Sequence, residues 1–272
     1  LYKNLTALFR ETDPCSGSAR PVRSAVDCHG IIDTDHLLTC LRIGSLRYPY
    51  FSVFHVDDAV GEVPAVETRV VAGGGLCAEF ADLDKVEQEL GEGAFLKLSQ
   101  LSHWHPQVRA ITQGLSRDLS AAVASRMYWA RMDGAVMTSY VNAPAFIVQL
   151  HGEAIIRCGS ADRGATENGS WEVNLKCGEL AFLTTPCSFS AQARGESCQL
   201  LIQISAPRVR DYLKALKACT MVTNSDLVSC YHTMSVDERS IETKKALMAT
   251  AGKISSERLL ALTLSMMKEE AG

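Results

Sequence analysis

Residues able to do chemistry are few in this chain, and most stand in ambiguous surroundings. His103-Trp104-His105 has the spacing of two ligands on one side of a strand, which makes it a metal candidate. The pair lies just before Pro106, however, where a helix should start, with no nearby carboxylate or third His. The competing reading is a helix-entry segment with Trp104 as packing. Cys28-His29 with Asp33 and Asp35 suggests a thiolate and its base, but adjacent side chains on a turn-like segment seldom reach each other. His151 sits in "LHGE", an expected exposed turn, and is a weak candidate base. Arg126, Arg131 and Asp133 flank one strand-like run, where an Arg fork can bind a carboxylate or phosphate; a surface salt bridge is the commoner fate. "AGGGLC" lacks the spacing and following helix of a dinucleotide fingerprint and reads as loop.

These residues must be positioned by a frame. The 272 residues, 47% of them hydrophobic, exceed the roughly 150 residues of a typical domain and predict one large domain with a small appendage. Net charge is −4 and the Lys and Arg are scattered, which argues against nucleic acid or an anionic membrane as partner. No apolar run approaches the roughly 18 residues of a membrane span, and the N-terminus lacks the order of a signal peptide. The expectation is a soluble, intracellular protein, with the cytoplasm the first choice and an organelle the second. The start at Leu1 rather than Met leaves room for a removed leader. Ten cysteines occur without any C-x-x-C, and are expected to be reduced, mostly packed thiols.

The first thirty residues, rich in Ser, Pro, Gly and charge around "ETDPCSGSARPVRSAVDCHG", favour a loop or extended arm. "DTDHLLTCLRIG" predicts a capped helix, "YPYFSVFHVDDAV" a half-buried strand, "VAGGGLCAEF" a loop, "DLDKVEQELGEG" a short helix and "AFLKLSQL" a strand. After Pro106, Val108, Ile111, Leu115, Leu119 and Val123 recur at helical spacing. From Ser125 to about Ser205 eight short strands follow: "SRMYWARM", "VMTSYV", "AFIVQLHG", "EAIIRC", "SWEVNL", "GELAFLT", "FSAQA" and "CQLLIQIS". Such spacing predicts an antiparallel barrel or jelly roll. Past Pro207 the pattern turns helical, in "PRVRDYLKALKAC", "SIETKKALMATAG" and "LLALTLSMMKEE", with apolar stripes suited to packing on a partner.

The order of these elements resembles the cupin-type JmjC-like oxygenases, the ribosomal-oxygenase group of iron(II) and 2-oxoglutarate-dependent hydroxylases. "DTDHLLTCLRIGSLRYPYF" is similar to that family's opening helix and strand. "LSQLSHWHPQVRAITQGLSRDL" is similar to its strand, His-Pro and helix before the barrel. "AFIVQLHGEAII" looks like its central hairpin, and "GELAFLTTPCSFSAQA" like the strand that ends in its distal His. The resemblance implies an α+β fold: residues 1–30 an N-terminal arm, 31–206 a double-stranded β-helix (cupin, jelly-roll) barrel with preceding helices, 207–272 a short helical tail that supports a homodimer.

It also implies a His-x-Asp and a distal His as iron ligands, three donors on one side of the metal. Counted back from Gln149, those positions fall on Ser139 and Val141, and the distal one on Phe189 or Ser190. The Lys that would pair with 2-oxoglutarate falls on Ala154. Sliding by one residue offers only Thr138, Tyr140 or Asn142. The implied metal set is absent, so neither iron nor 2-oxoglutarate is expected as cofactor. Tyr128 resembles the family Tyr that contacts the cosubstrate. Strand alternation puts Ala145, Ile147 and Gln149 on one face, with Gln203 in a similar place on the last strand. The interior suits an organic ligand held by hydrogen bonds, with Tyr128, Ser139, Gln149 and Gln203 as binding residues. Gln149 as a structural residue bonded to backbone is the competing reading.

The sequence therefore points to a catalytically degenerate member, a pseudo-oxygenase that binds a protein, peptide or small molecule or helps assemble a complex. One alternative is a metal-independent enzyme using Tyr128, Gln149 and His151. Another is a 2-oxoglutarate-dependent hydroxylase with non-standard ligands.

Overall fold

The structure, a computed structural model, describes residues 1–11, 27–28, 30–31, 33–44, 46–57, 62–71, 73–160, 171–183, 187–205 and 255–270. The chain divides into two units, Leu1–Ser205 and Ala206–Gly272. The first contains helices α1 (Tyr2–Glu11), α2 (Thr34–Arg42), α3 (Leu83–Gly91), α4 (Leu101–Trp104) and α5 (Pro106–Leu119). Its strands are β1 (Phe51–Phe54), β2 (Val56–Asp57), β3 (Glu62–Val63), β4 (Val66–Val70), β5 (Leu76–Ala81), β6 (Phe95–Leu98), β7 (Ala122–Ala130), β8 (Val136–Val141), β9 (Ala145–Ser160), β10 (Trp171–Lys176), β11 (Leu180–Leu183) and β12 (Cys187–Ser205). The described helix of the second unit is α6 (Ser256–Glu270), as the stripe in "LLALTLSMMKEE" predicts. The other two helices expected after Pro207 lie outside the described residues.

Helix starts follow local chemistry. The side chain of Asp33 accepts from Asp35 N at 3.0 Å, and that of Asp82 from Lys85 N at 3.2 Å, each meeting an amide that the first helical turn leaves unpaired. α5 begins with Pro106, whose missing N–H costs nothing at that position.

Two long strands organise the barrel. β9 and β12, 16 and 19 residues long, run antiparallel along most of their lengths. On one side of a shared bend, Cys187–Arg194 of β12 lies between β8 and the second half of β9, with β10 beyond β9. On the other side, residues 198–205 lie between β7 and the first half of β9, with β11 beyond β9 and β6, β1 and β3 continuing past β7. Sharing two bent strands between two layers closes a double-stranded β-helix. The bend is a register shift between Arg194 and Cys198, opposite His151–Gly152. Gly152 is required there: its φ is +66°, and a Cβ would stand 1.9 Å from the Glu196 carbonyl oxygen.

Strand alternation then sorts side chains into two cores. Inward-facing residues, among them Tyr128, Met137, Val141, Ile147, Ile156, Phe189 and Leu201, form one buried cluster. The outward face of the β7–β9–β12 layer, with Met127, Trp129, Phe146, Val148, Leu200 and Ile202, packs with Leu5, Leu37, Leu41, Val108 and Leu115 of the helices. Burying each such large side chain contributes about 1.5–3 kcal/mol.

Several expectations need correction. Residues 2–11, read by composition as part of an arm, form α1; its Leu5 is buried, and Phe9 packs edge-on against Phe146 and Phe182. Leu76–Phe80, expected as part of a loop, belong to β5, which pairs with β4 as a hairpin; Gly73–Gly75 lie at its tip. Val123 belongs to β7, not to the preceding helix, because Ser120 adopts a left-handed conformation that ends α5. The turn expected at "LHGE" is a bend within one continuous strand, and "FSAQA" and "CQLLIQIS" are likewise one strand. Cys158 and Cys187, expected as free thiols, form a disulfide. They face inward on paired strands, offset by one inward position, with Cys158 opposite Phe189.

Candidate functional site

β8 and β12 bring the implied metal positions together. Ser139 stands directly across from Phe189, and Val141 from Cys187. Val141 and Phe189 are buried in the inner cluster, Phe189 at 3% exposure. Ser190, the other candidate for the distal position, has the opposite parity and pairs with Thr138 and Arg157. Tyr140 and Asn142 are exposed, so a shifted count would point its residues out of the barrel. Ala154 also faces inward. The register thus gathers these positions on one inner wall, and a neutral hydroxyl, an isopropyl group and a phenyl ring meet there. That donor set does not fit a divalent iron ion. Among the described residues no group of three or more His, Cys, Asp or Glu is placed to hold a metal.

Across the shared bend, on the other layer of the barrel, runs a polar row. Lys97 of β6 pairs with Tyr128 of β7, Tyr128 with Gln199 of β12, and Gln199 with Gln149 of β9. Tyr128 is buried and packs edge-on against Phe54. Gln149 Nε2 donates to the His151 carbonyl at 2.6 Å and to Ser197 Oγ at 2.8 Å, and Gln199 Nε2 donates to the same hydroxyl at 3.2 Å. A carbonyl can only accept, so the bond to His151 fixes which end of the Gln149 amide is nitrogen. The backbone-bonded reading of Gln149 therefore holds for its nitrogen. Its Oε1 and that of Gln199 are buried with no hydrogen-bond partner, an arrangement that costs about 1–3 kcal/mol per group until a donor arrives. Gln203 sits nearer the rim and donates to Asn142 Oδ1 at 2.6 Å.

Tyr128 and Gln149 thus share an interior row, whereas the exposed His151 side chain lines a different space. The three do not converge on one acid-base site. The space that His151 lines is a cleft of about 590 Å3, bordered also by Asp27, Cys28, Asp33, Cys177 and Cys198. Burial pushes the Cys28 thiol up, with the neighbouring Cys177 adding to the effect, and burial raises Cys198 much further. His29, the imagined partner of Cys28, lies outside the described residues. Asp33 serves as the α2 cap.

The His103-Trp104-His105 candidate dissolves into helix geometry. Leu101–Trp104 is helical, so alternate residues do not share a side. His105 is the N-cap of α5: its Nδ1 accepts from Val108 N at 3.4 Å, while Trp104 Nε1 donates to the Ser99 carbonyl. Burial, then nearby His36, lowers the His105 pKa and favours the neutral ring that can accept this bond. Asp133 accepts from Gly195 N at the β12 bend, and Arg131 is exposed. Sequence reading missed Ser197 and Gln199. The alternation Gln199, Leu201, Gln203 carried the signal for Gln199, but nothing local marked Cys177.

No family model matches the chain, and no curated protein matches it. Solved structures do. The structure of YcfD, a ribosomal oxygenase from Escherichia coli, in complex with cobalt and succinic acid aligns with a TM-score of 0.53 at 15% identity, over 89% of this chain and 65% of that one. The complex of YcfD with cobalt and 2-oxoglutarate gives 0.51 at 15% identity, over 76% and 53%. The fold is a cupin barrel. The chain spans between about half and two thirds of the length of these structures, and at this identity the likeness concerns the frame alone.

Proposed function

We propose that this chain is a JmjC-like cupin that has kept the oxygenase frame and acts as a binding or assembly module, without iron or 2-oxoglutarate as cofactors. One observation carries the reading: Ser139, Val141 and Phe189 meet across β8 and β12 where the resemblance requires two imidazoles and a carboxylate. Ala154, on the same inner wall, supplies no cation for a cosubstrate carboxylate. A small molecule, peptide or protein is the expected ligand. The buried, donor-seeking oxygens of Gln149 and Gln199 favour an interior ligand that carries N–H groups. The apolar stripe of α6 supports a protein partner or a second copy of this chain, held through the helical regions. An intracellular location goes with this proposal; among the described residues no helix is long and apolar enough to cross a membrane.

The test is calorimetry of purified protein with manganese(II) and 2-oxoglutarate, separately and together, followed by an assay for succinate release with iron(II) and ascorbate. The expected result is no saturable binding at micromolar concentration and no succinate above the no-enzyme rate. Turnover of 2-oxoglutarate, even without a protein substrate, overturns the reading.

A further inference from the structure

The cleft beside the barrel holds chemistry that an interior binding site does not use. Three cysteines reach it from distant parts of the chain: Cys28 ahead of α2, Cys177 in the turn between β10 and β11, and Cys198 just past the bend of β12. Their settings differ. Cys177 is exposed, whereas Cys28 and Cys198 are buried. The Cys28 and Cys177 thiols line the same cleft, near enough that Cys177 helps to hold the Cys28 pKa up. Both are tethered to consecutive carbonyls of β9, Cys28 Sγ donating to Gln149 O at 3.7 Å and Cys177 Sγ to Leu150 O at 3.1 Å. One sulfur open to solvent and a second, buried one bordering the same cleft suit an attacking and a resolving thiol.

We propose that Cys177 and Cys28 form a thiol–disulfide exchange site that accepts a small disulfide. The Cys177 thiolate attacks one sulfur of R–S–S–R, whose S–S bond breaks; the departing R–S⁻ takes up a proton, leaving Cys177 joined to the other half. Cys28 then gives its proton to solvent and attacks Cys177 Sγ, releasing the second R–S⁻, which is protonated in turn. Two protein thiols are oxidised to one Cys28–Cys177 disulfide, and the external disulfide is reduced to two thiols. The new bond fastens the segment at Cys28 to the β10–β11 turn. Cys198 takes no part, since its side chain is closed off from solvent.

The experiment exposes the intact chain, under native conditions, to cystamine or to oxidised glutathione at equal concentration. Remaining thiols are trapped by alkylation and the bonds mapped by peptide mass spectrometry. The expected product with either reagent is a Cys28–Cys177 crosslink, with the loss of both alkylatable thiols and no reagent retained on the chain. Cys28→Ser should stop at Cys177 capped by the reagent, and Cys177→Ser should leave Cys28 unmodified. Wild-type Cys177 that stays capped without a crosslink, or a crosslink to Cys198, overturns the assignment of the pair. Succinate release measured on the same preparation reports separately on the proposed loss of oxygenase chemistry, so the two ideas fail independently.

Discussion

Ser139 and Phe189 are direct cross-strand partners on the inner wall of the barrel, and Phe189 has Cys158 across from it on its other side. The phenyl ring therefore stands between a hydroxyl and one end of the Cys158–Cys187 bridge, buried in the inner cluster. A side chain in this setting acts through packing. Phe189→Ala should cost about 3–5 kcal/mol of stability, from lost burial and the cavity left behind. Ser139→Ala, at a half-buried position, should cost under about 1 kcal/mol. Urea unfolding of the two variants checks this; a stable Phe189→Ala protein would mean that the ring does not fill the wall.

Gly152 should tolerate no side chain. Its φ of +66° and the 1.9 Å approach to the Glu196 carbonyl oxygen put a methyl group into backbone, which cannot yield as a flexible side chain would. Gly152→Ala is expected to lower stability by about 3 kcal/mol or more, or to stop folding in bacteria. Gly93→Ala, also at positive φ but with open space around it, should cost roughly 1 kcal/mol, the conformational term alone. Thermal melts of the pair separate the contact from the conformation.

Acid should weaken the entry of α5. The His105 pKa lies below the ordinary value of 6.5 because burial, then His36, disfavours the charged ring. Between the lowered native value and 6.5 the unfolded chain binds more protons, so stability rises with pH through that window and falls as the solution is acidified through it. His105→Asn keeps a capping oxygen without the titration. Stability measured from pH 7 to 5 should therefore fall less steeply in this variant than in the wild type.

The cleft thiols should alkylate unequally. Cys28 is buried and its pKa is raised above 9.0, and only the thiolate reacts. Its modification by iodoacetamide should lag that of exposed Cys177 at pH 7 and should still be accelerating above pH 9, near tenfold per unit. Site-resolved mass spectrometry across pH measures both. A Cys28 profile that levels off below pH 9 would contradict the burial on which the ordering rests.

Much of this was legible along the chain. The alternation in "AFIVQ" and "CQLLIQIS" determined which residues face inward, because a strand's side chains change sides at every step; past the bend at His151–Gly152 the parity switches, and Ala154 and Ile156 face inward instead. Asp33, Asp82 and Pro106 marked helix starts through bonds that close within three residues. The residue types at Ser139, Val141 and Phe189 are read directly from the chain, whereas their meeting across β8 and β12 needed the register. Tertiary structure alone decided that β9 and β12 bend rather than turn, that Cys158 reaches Cys187, and that Cys28, Cys177 and Cys198 border one cleft. The reason is physical: periodicity and capping depend on neighbours a few residues away, whereas cross-strand register and the meeting of distant turns depend on pairings that close only when the whole barrel does.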